Sequence, residues 1–399
     1  MEPFPITRYE RWMDIEERTE SSRLEADVGA SRYNRIVVKA GTGVLTEGGK
    51  NLHLPTIEGL VEQIATLHIS GTKMLLVTSG AIAAGRELLG FTGDRADVTF
   101  RQVLAAVGQN RLMQVYSSLF ERWGLPVAQA LLTRHDLEDR QGYLNVRNTL
   151  LSLLDSGVVP IINENDVVAV EEIGPVFGDN DTLSALVANL VDADLLAILT
   201  DTDGLFTKDP YNHPDAVLLS RVDRIDSYIE SLGSEHHSSW SRGGMRSKLE
   251  AAKMATRSGV TVVICNGRLP LVMPKLAGGA SLGTFFNSTG NRVESRKRWM
   301  LSGLSVKGEV VVDLGAVMAL RQRKGSLLPA GVQDVHGGFH RGDVVYITSV
   351  QGERVACGLA NYGLDEIARI KGSRSDNIQD ILGCNYGQEV VHRNNMVLL

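Results

Sequence analysis

From Arg35 onward, short runs of β-branched and aliphatic residues alternate with longer amphipathic stretches, and this alternation narrows the possible folds more than any other feature. The runs are Ile36 to Val38, Met74 to Val77, Val158 to Ile162, Leu195 to Leu199 and Val260 to Ile264. Each has the length of a strand buried on both faces, and the stretches between them suit crossover helices. One helix is predicted from Pro55-Thr56, with Ile57, Leu60, Val61, Ile64 and Leu67 at helical spacing and Gly71 as its stop. Another runs from Ser247 through Leu249, Ala252 and Met254 to Gly259. The expected fold class is α/β with a mainly parallel central sheet.

Every run ends in polar or glycine residues: Lys39 and Gly41, Ser79 and Gly80, Asn163 to Asp166, Thr200 and Asp201, Asn266 and Gly267. In an open α/β sheet, ligands bind in the crevice beyond the carboxyl ends of the strands. Five strands therefore aim their reactive residues at one edge.

Past about residue 290 the pattern changes. A polar stretch with Ser288, Asn291, Arg292, Arg296 and Lys297 precedes strand-sized runs at closer spacing, with turns at Gly331, Gly337-Gly338, Gly342 and Gly352. A small, mostly β barrel is expected there. The chain thus divides into an N-terminal extension over 1–33, an α/β domain over 34–290, a linker over 291–302 and a β domain over 303–399. Two domains suit a chain of 399 residues with 43% hydrophobic content.

The net charge of −6 argues against a polyanion as main partner. Three well-separated cysteines, Cys265, Cys357 and Cys384, fit a reducing cytosol better than a zinc site or a disulfide scaffold. The charged start lacks the apolar core of a secretory signal, and no window approaches the roughly 20 apolar residues of a membrane span. A soluble, cytoplasmic protein is expected.

Five segments carry residues suited to chemistry. In VVKAGTGVLT, Lys39 at a strand end precedes Gly41 and Gly43, so an ammonium and backbone N–H groups converge where phosphate could sit. A plain glycine turn after an edge lysine explains the same residues. VTSGAIAAGR places Thr78-Ser79-Gly80 before a helix of small residues, which permit close approach by either a ligand or another helix. INENDVV and GDND gather Asn163, Asn165, Asp166, Asp179, Asn180 and Asp181, and capping by Asp181 accounts for only one of them. The others suit recognition of an amino group or orientation of a lysine. SRGGMRSKLEAAKMA sets Gly243-Gly244 before a helix bearing Lys248, with Arg242 and Arg246 close by, either a second cationic phosphate cradle or a solvated basic face. The His236-His237 pair has no metal-ligand spacing.

Taken in order, VVKAGTGVLT, VTSGAIAAGRE, LLTRHDLEDR, VVPIINENDVVA, GDNDTLSA, LTDTDGLFT and GGMRSKLEAA resemble the amino-acid kinase family, and within it the glutamate 5-kinases. SLLPAGV, FHRGDVV and ILGCNYG resemble a PUA domain, so the likeness spans residues 35 to 399. It implies an amino-acid-kinase-like sandwich followed by a PUA-like barrel. It also implies ATP-dependent phosphorylation of the γ-carboxylate of L-glutamate, the first step of proline biosynthesis. Magnesium would be required, proline would act as feedback inhibitor, a separate glutamyl phosphate reductase would take the product, and the protein would form a homo-oligomer.

Residue by residue, the resemblance makes Lys39 and Lys248 the lysines flanking the transferring phosphoryl group and Asp181 the aspartate that orients them. It places Ser79, Gly80, Asp166, Asn180 and Asn163 at the glutamate site. It places Lys39, Gly41, Thr200 and Asp201, with Arg242, Gly243, Gly244, Met245, Arg246, Ser247 and Lys248, at the ATP site, and assigns no metal to protein side chains. Gly43 stands where the family usually has a serine, and Arg242 and Arg246 stand where a threonine and a serine are common. Aspartate, N-acetylglutamate or a nucleoside monophosphate are alternative acceptors within the family. RNA binding through the PUA-like part is a reading of another class, opposed by equal numbers of basic and acidic residues from Gly303 onward.

Overall fold

In the computed structural model of the chain, residues 31–91, 93, 97–168, 180–210, 212–233, 244–288, 306–323 and 325–399 are described. The 291–302 linker, and the extension up to residue 30, lie outside them. The described residues form two compact units: one holds those up to Leu137 and from Arg147 to Gly290, the other Glu138–Val146 and those from Asn291 on.

The first unit is built on an eight-stranded sheet of β1 (Arg35–Ala40), β2 (Lys73–Thr78), β3 (Val127–Leu132), β4 (Val159–Glu164), β5 (Leu195–Thr200), β6 (Arg221–Val222), β7 (Thr261–Asn266) and β8 (Thr284–Phe286). The order is β3-β4-β2-β1-β5-β7-β8-β6, and every pairing is parallel except β7 with β8. All five expected strands are present, displaced by a residue or two at their ends. The sequence reading lacked β3, β6 and β8. β3 is an edge strand, VAQALL, only partly buried, so its Gln129 interrupts the aliphatic run that marks an inner strand.

Alternation along β1 decides what faces what. Ile36, Val38 and Ala40 enter a core shared with Ile57, Leu60 and Ile64 of helix Leu54–Ile69, which therefore covers one face of the sheet. Val37 and Lys39 take the opposite face. Lys39 thus sits between a buried sheet and whatever covers that second face.

Two helices cross more closely than side chains allow. Helix Ala81–Leu88 follows the Ser79-Gly80 strand end, and helix Val98–Glu121 starts at Asp97, whose side chain caps it by accepting from Phe100 N at 2.9 Å. At their contact a Cβ on Gly108 would lie 1.8 Å from the Ala81 carbonyl oxygen, and one on Gly85 1.9 Å from that of Leu104. The small residues of VTSGAIAAGR thus serve helix packing at Gly85. They leave the Thr78-Ser79-Gly80 end of β2 for the site.

The second unit carries a five-stranded mixed sheet, β9 (Gly308–Val312), β10 (Val332–Gly337), β11 (Val344–Ser349), β12 (Arg354–Leu359) and β13 (Met396–Leu398), in the order β10-β9-β11-β12-β13. Val310, Ile347, Phe339, Tyr362 and Ile367 lie in its core. Among the described residues, no helix is long and apolar enough to cross a membrane.

Gly108→Ala is expected to lower unfolding free energy by about 2 kcal/mol or more, because the added methyl meets backbone that cannot give way. Gly59→Ala, at a helical position with nothing within 4 Å of the new carbon, should instead stabilise by up to about 1 kcal/mol. Urea denaturation of the two variants checks the opposite signs.

Candidate active site

Lys39, one residue before the end of β1, reaches Asp181 in the first turn of helix Asn180–Leu190, with Nζ 2.7 Å from Oδ1. Lys248, early in helix Met245–Arg257, donates to Oδ2 of the same carboxylate at 3.2 Å. Ser247 Oγ donates to that oxygen at 2.8 Å. The three charged groups are 5%, 0% and 5% exposed for Lys39, Asp181 and Lys248, so water does little to screen them. Burial alone would raise the Asp181 carboxyl, yet the Lys248 and Lys39 ammoniums, with hydrogen bonds from Lys39 and Ser247, hold it well below the usual carboxylate range. Two ammoniums on one carboxylate give these three groups a formal charge of +1, which suits them to an anion.

A second group of side chains gathers at the ends of β2 and β4. Asn180 Nδ2 donates to the Thr78 carbonyl at 3.0 Å, to Ser79 Oγ at 3.1 Å and to Asn163 Oδ1 at 3.1 Å. Asn163 Nδ2 donates to Gln109 Oε1 at 2.8 Å. Asp166 follows in the turn after β4, and burial pushes its carboxyl up to about 6. A half-buried carboxylate that titrates this high gains from an ammonium partner.

On the other side of β1, Thr200 Oγ1 donates to Asp201 Oδ1 at 3.1 Å at the end of β5. The Gly41 N–H is spent on the Leu199 carbonyl at 3.3 Å, which ties the turn after β1 to β5. A Cβ on Gly43 would lie 3.1 Å from Asp201 Oδ2, a tight contact that a shift of a few tenths of an ångström in the Asp201 carboxylate would relieve. The Gly43 carbonyl accepts from Arg268 Nη2 at 2.8 Å and from Gly48 N at 3.0 Å. Backbone anchoring therefore holds this turn.

The structure brings Lys39, Asp181, Ser247 and Lys248 together, and separately joins Ser79, Asn163 and Asn180. Met245 is buried just after the Gly244 cap of its helix. The exposed Arg246 guanidinium pairs with Glu250 one turn on, Nε to Oε1 at 3.1 Å. Asp179, Arg242, Gly243 and the His236-His237 pair lie outside the described residues. Sequence reasoning missed Gln102, Gln109, Tyr116 and Arg268. The first three recur every seventh residue on one helix, a spacing legible only once that helix is assigned.

The amino acid kinase family matches residues 34–266, which hold all three charged groups of the buried cluster, the last at Lys248. This chain belongs to the amino acid kinase family. A PUA domain matches residues 308–382 of this kinase. It is 50% identical over 368 residues to the glutamate 5-kinase of Dehalococcoides mccartyi strain CBDB1, covering 92% of this chain and 99% of that one. It is 51% identical over 365 residues to that of Herpetosiphon aurantiacus, covering 92% and 98%. The Deinococcus radiodurans glutamate 5-kinase is 47% identical over 365 residues, covering 92% and 100%.

Asp181→Asn should destabilise the fold by about 3–5 kcal/mol, since it leaves two buried ammoniums facing each other. The folded-state carboxyl titrates below its unfolded value, so its contribution is complete above about pH 4 and fades as the pH falls further. Denaturation of wild type and variant between neutral and acid pH checks both: their difference should shrink toward the acid end.

Proposed function

We propose that this kinase transfers the γ-phosphoryl group of ATP to the γ-carboxylate of L-glutamate, giving L-glutamyl 5-phosphate and ADP, the first step of proline biosynthesis. The observation that carries the reading is the buried carboxylate of Asp181 held between Lys39 and Lys248. Glutamate 5-kinase relatives at about half identity supply the acceptor.

A glutamate carboxylate is ionised at neutral pH, so an oxygen of it attacks the γ-phosphorus without a base. The bond to the bridging oxygen breaks, and ADP leaves with its electron pair. Asp181 fixes both ammoniums at one place before substrate arrives, so little reorganisation is needed as charge shifts along the phosphoryl oxygens. The acceptor's other end belongs at the carboxamides: Asp166 for the ammonium, with Ser79, Asn163 and Asn180 around the rest of the amino acid.

Magnesium supplies charge neutralisation on the nucleotide phosphates. Asp181 is engaged by two lysines and a serine, so the ion would be held by phosphate oxygens and water, as such sites commonly are. We extend the reading to a cytosolic homo-oligomer inhibited by proline and handing its labile acyl phosphate to a separate reductase, on the strength of the family resemblance.

Hydroxylamine trapping with ATP tests the acceptor: a hydroxamate should form with L-glutamate, and its formation with aspartate or N-acetylglutamate instead would overturn the choice. Lys39→Ala and Lys248→Ala should each lower kcat about 10²–10³-fold, and rates within tenfold of wild type would contradict their role. Because the acceptor's ammonium needs an ionised Asp166, kcat/KM for glutamate should be level above about pH 6 and fall below it. Asp166→Asn should lower kcat/KM and remove that break.

A further inference from the structure

Helix Val98–Glu121 touches the amino-acid end of the site at three points, each seven residues from the next. Gln102 Nε2 donates to the Asp166 carbonyl at 3.0 Å. Gln109 Oε1 accepts from Asn163. Tyr116 Oη lies 2.7 Å from Thr78 Oγ1, within hydrogen-bond reach of the strand end that bears Ser79. Seven residues are almost two helical turns, with about 20° of drift, so the three side chains form one stripe. Gly108, beside the middle one, is where this helix locks against helix Ala81–Leu88.

Gln109 does more than brace Asn163. Its Nε2 is buried with no hydrogen-bond partner among the described residues, and so is Oδ1 of Asn180, one carboxamide further along the same chain of hydrogen bonds. One is a donor and the other an acceptor. Leaving such atoms unmatched inside a protein costs free energy, and native structures keep few of them. An amino acid carries complementary groups, a carboxylate that accepts and an ammonium that donates. Asp166 supplies the charge for the ammonium, which leaves the α-carboxylate in need of a donor.

We propose that Gln109 Nε2 binds the α-carboxylate of the acceptor, and that the Gln102–Gln109–Tyr116 stripe sets the spacing of the acceptor site. Gln109 is then a specificity-determining residue, while Gln102 and Tyr116 are positioning residues acting through Asp166 and Thr78. The proposal rests on the reading of this site as one for a free amino acid.

The decisive variant is Gln109→Glu, nearly the same shape. Its carboxylate still accepts from Asn163 but replaces the donor with a second negative charge. If Gln109 only braced Asn163, this change would leave the KM for glutamate near wild type. The proposal expects the KM for L-glutamate to rise tenfold or more in Gln109→Ala and further in Gln109→Glu, with the KM for ATP unchanged and kcat within a few-fold. L-isoglutamine, whose α-amide donates, should be discriminated against less by Gln109→Glu than by wild type. Gln102→Ala should shift the acid limb of kcat/KM, because it frees the turn that holds Asp166.

Calorimetry of L-glutamate binding to wild type and Gln109→Glu separates this proposal from the proposed reaction. Binding weakened only in the variant supports the role of Gln109 even if no glutamate-dependent hydroxamate forms. Equal binding, or a KM for ATP that rises in step with that for glutamate, overturns it.

Discussion

A single carboxylate organises this molecule. Asp181 is inaccessible to solvent, and two ammoniums converge on its separate oxygens. None of the three charges could be buried alone, since an isolated ion in a low-dielectric interior costs several kcal/mol even after relaxation. Held together, they fix two ammoniums on one carboxylate, and keeping them there needs a stiff fold. That stiffness comes from the order of the sheet. β1 lies between β2 and β5, so Lys39 is borne by an inner strand with neighbours on both sides. The first turns of two helices bring Asp181 and Lys248 to it.

The amino-acid end depends on a different constraint, the crossing at Gly85 and Gly108. Backbones this close leave no slack for helix Val98–Glu121 to slide or rotate, so side chains on its other stripe are placed by the contact. Through Gln102, Gln109 and Tyr116 that placement reaches the turn after β4, the end of β4 and the end of β2. The two ends of the site are thus fixed by separate devices, an ion cluster and a glycine crossing. Helix Asn180–Leu190 joins them, because its first residue belongs to the carboxamide chain and its second is Asp181.

The inner strands β1, β2, β4, β5 and β7 were legible because strands buried on both faces need unbroken aliphatic runs, as in LLAILT of β5. The half-exposed edge strand β3 has no such run. The polar edge was legible too, since polar residues follow each of those strands. Which of them meet was not. Lys39, Asp181 and Lys248 are far apart in the chain, and no local pattern couples them, so only their resemblance to an ordered set of motifs joined them before the structure did. Arg246, a cation beside a glycine turn, lies on the exposed side of its helix and pairs with Glu250.

Unmatched buried polar atoms lower stability, and two of those in the structure belong to the carboxamide chain. Gln109 Nε2 and Asn180 Oδ1, without a hydrogen-bond partner among the described residues, each cost about 1–3 kcal/mol. The cores formed by Ile36, Val38, Leu76 and Ile161 with the helices above them offset this. On the proposed reading, such a site is completed by an anion between the lysines and by a carboxylate with an ammonium at the carboxamides. A molecule offering one of these without the other leaves part of the cost in place. Discrimination by unmatched polar groups is stronger than discrimination by fit in an apolar pocket, so on that reading the features that lower stability also favour selectivity for the acceptor.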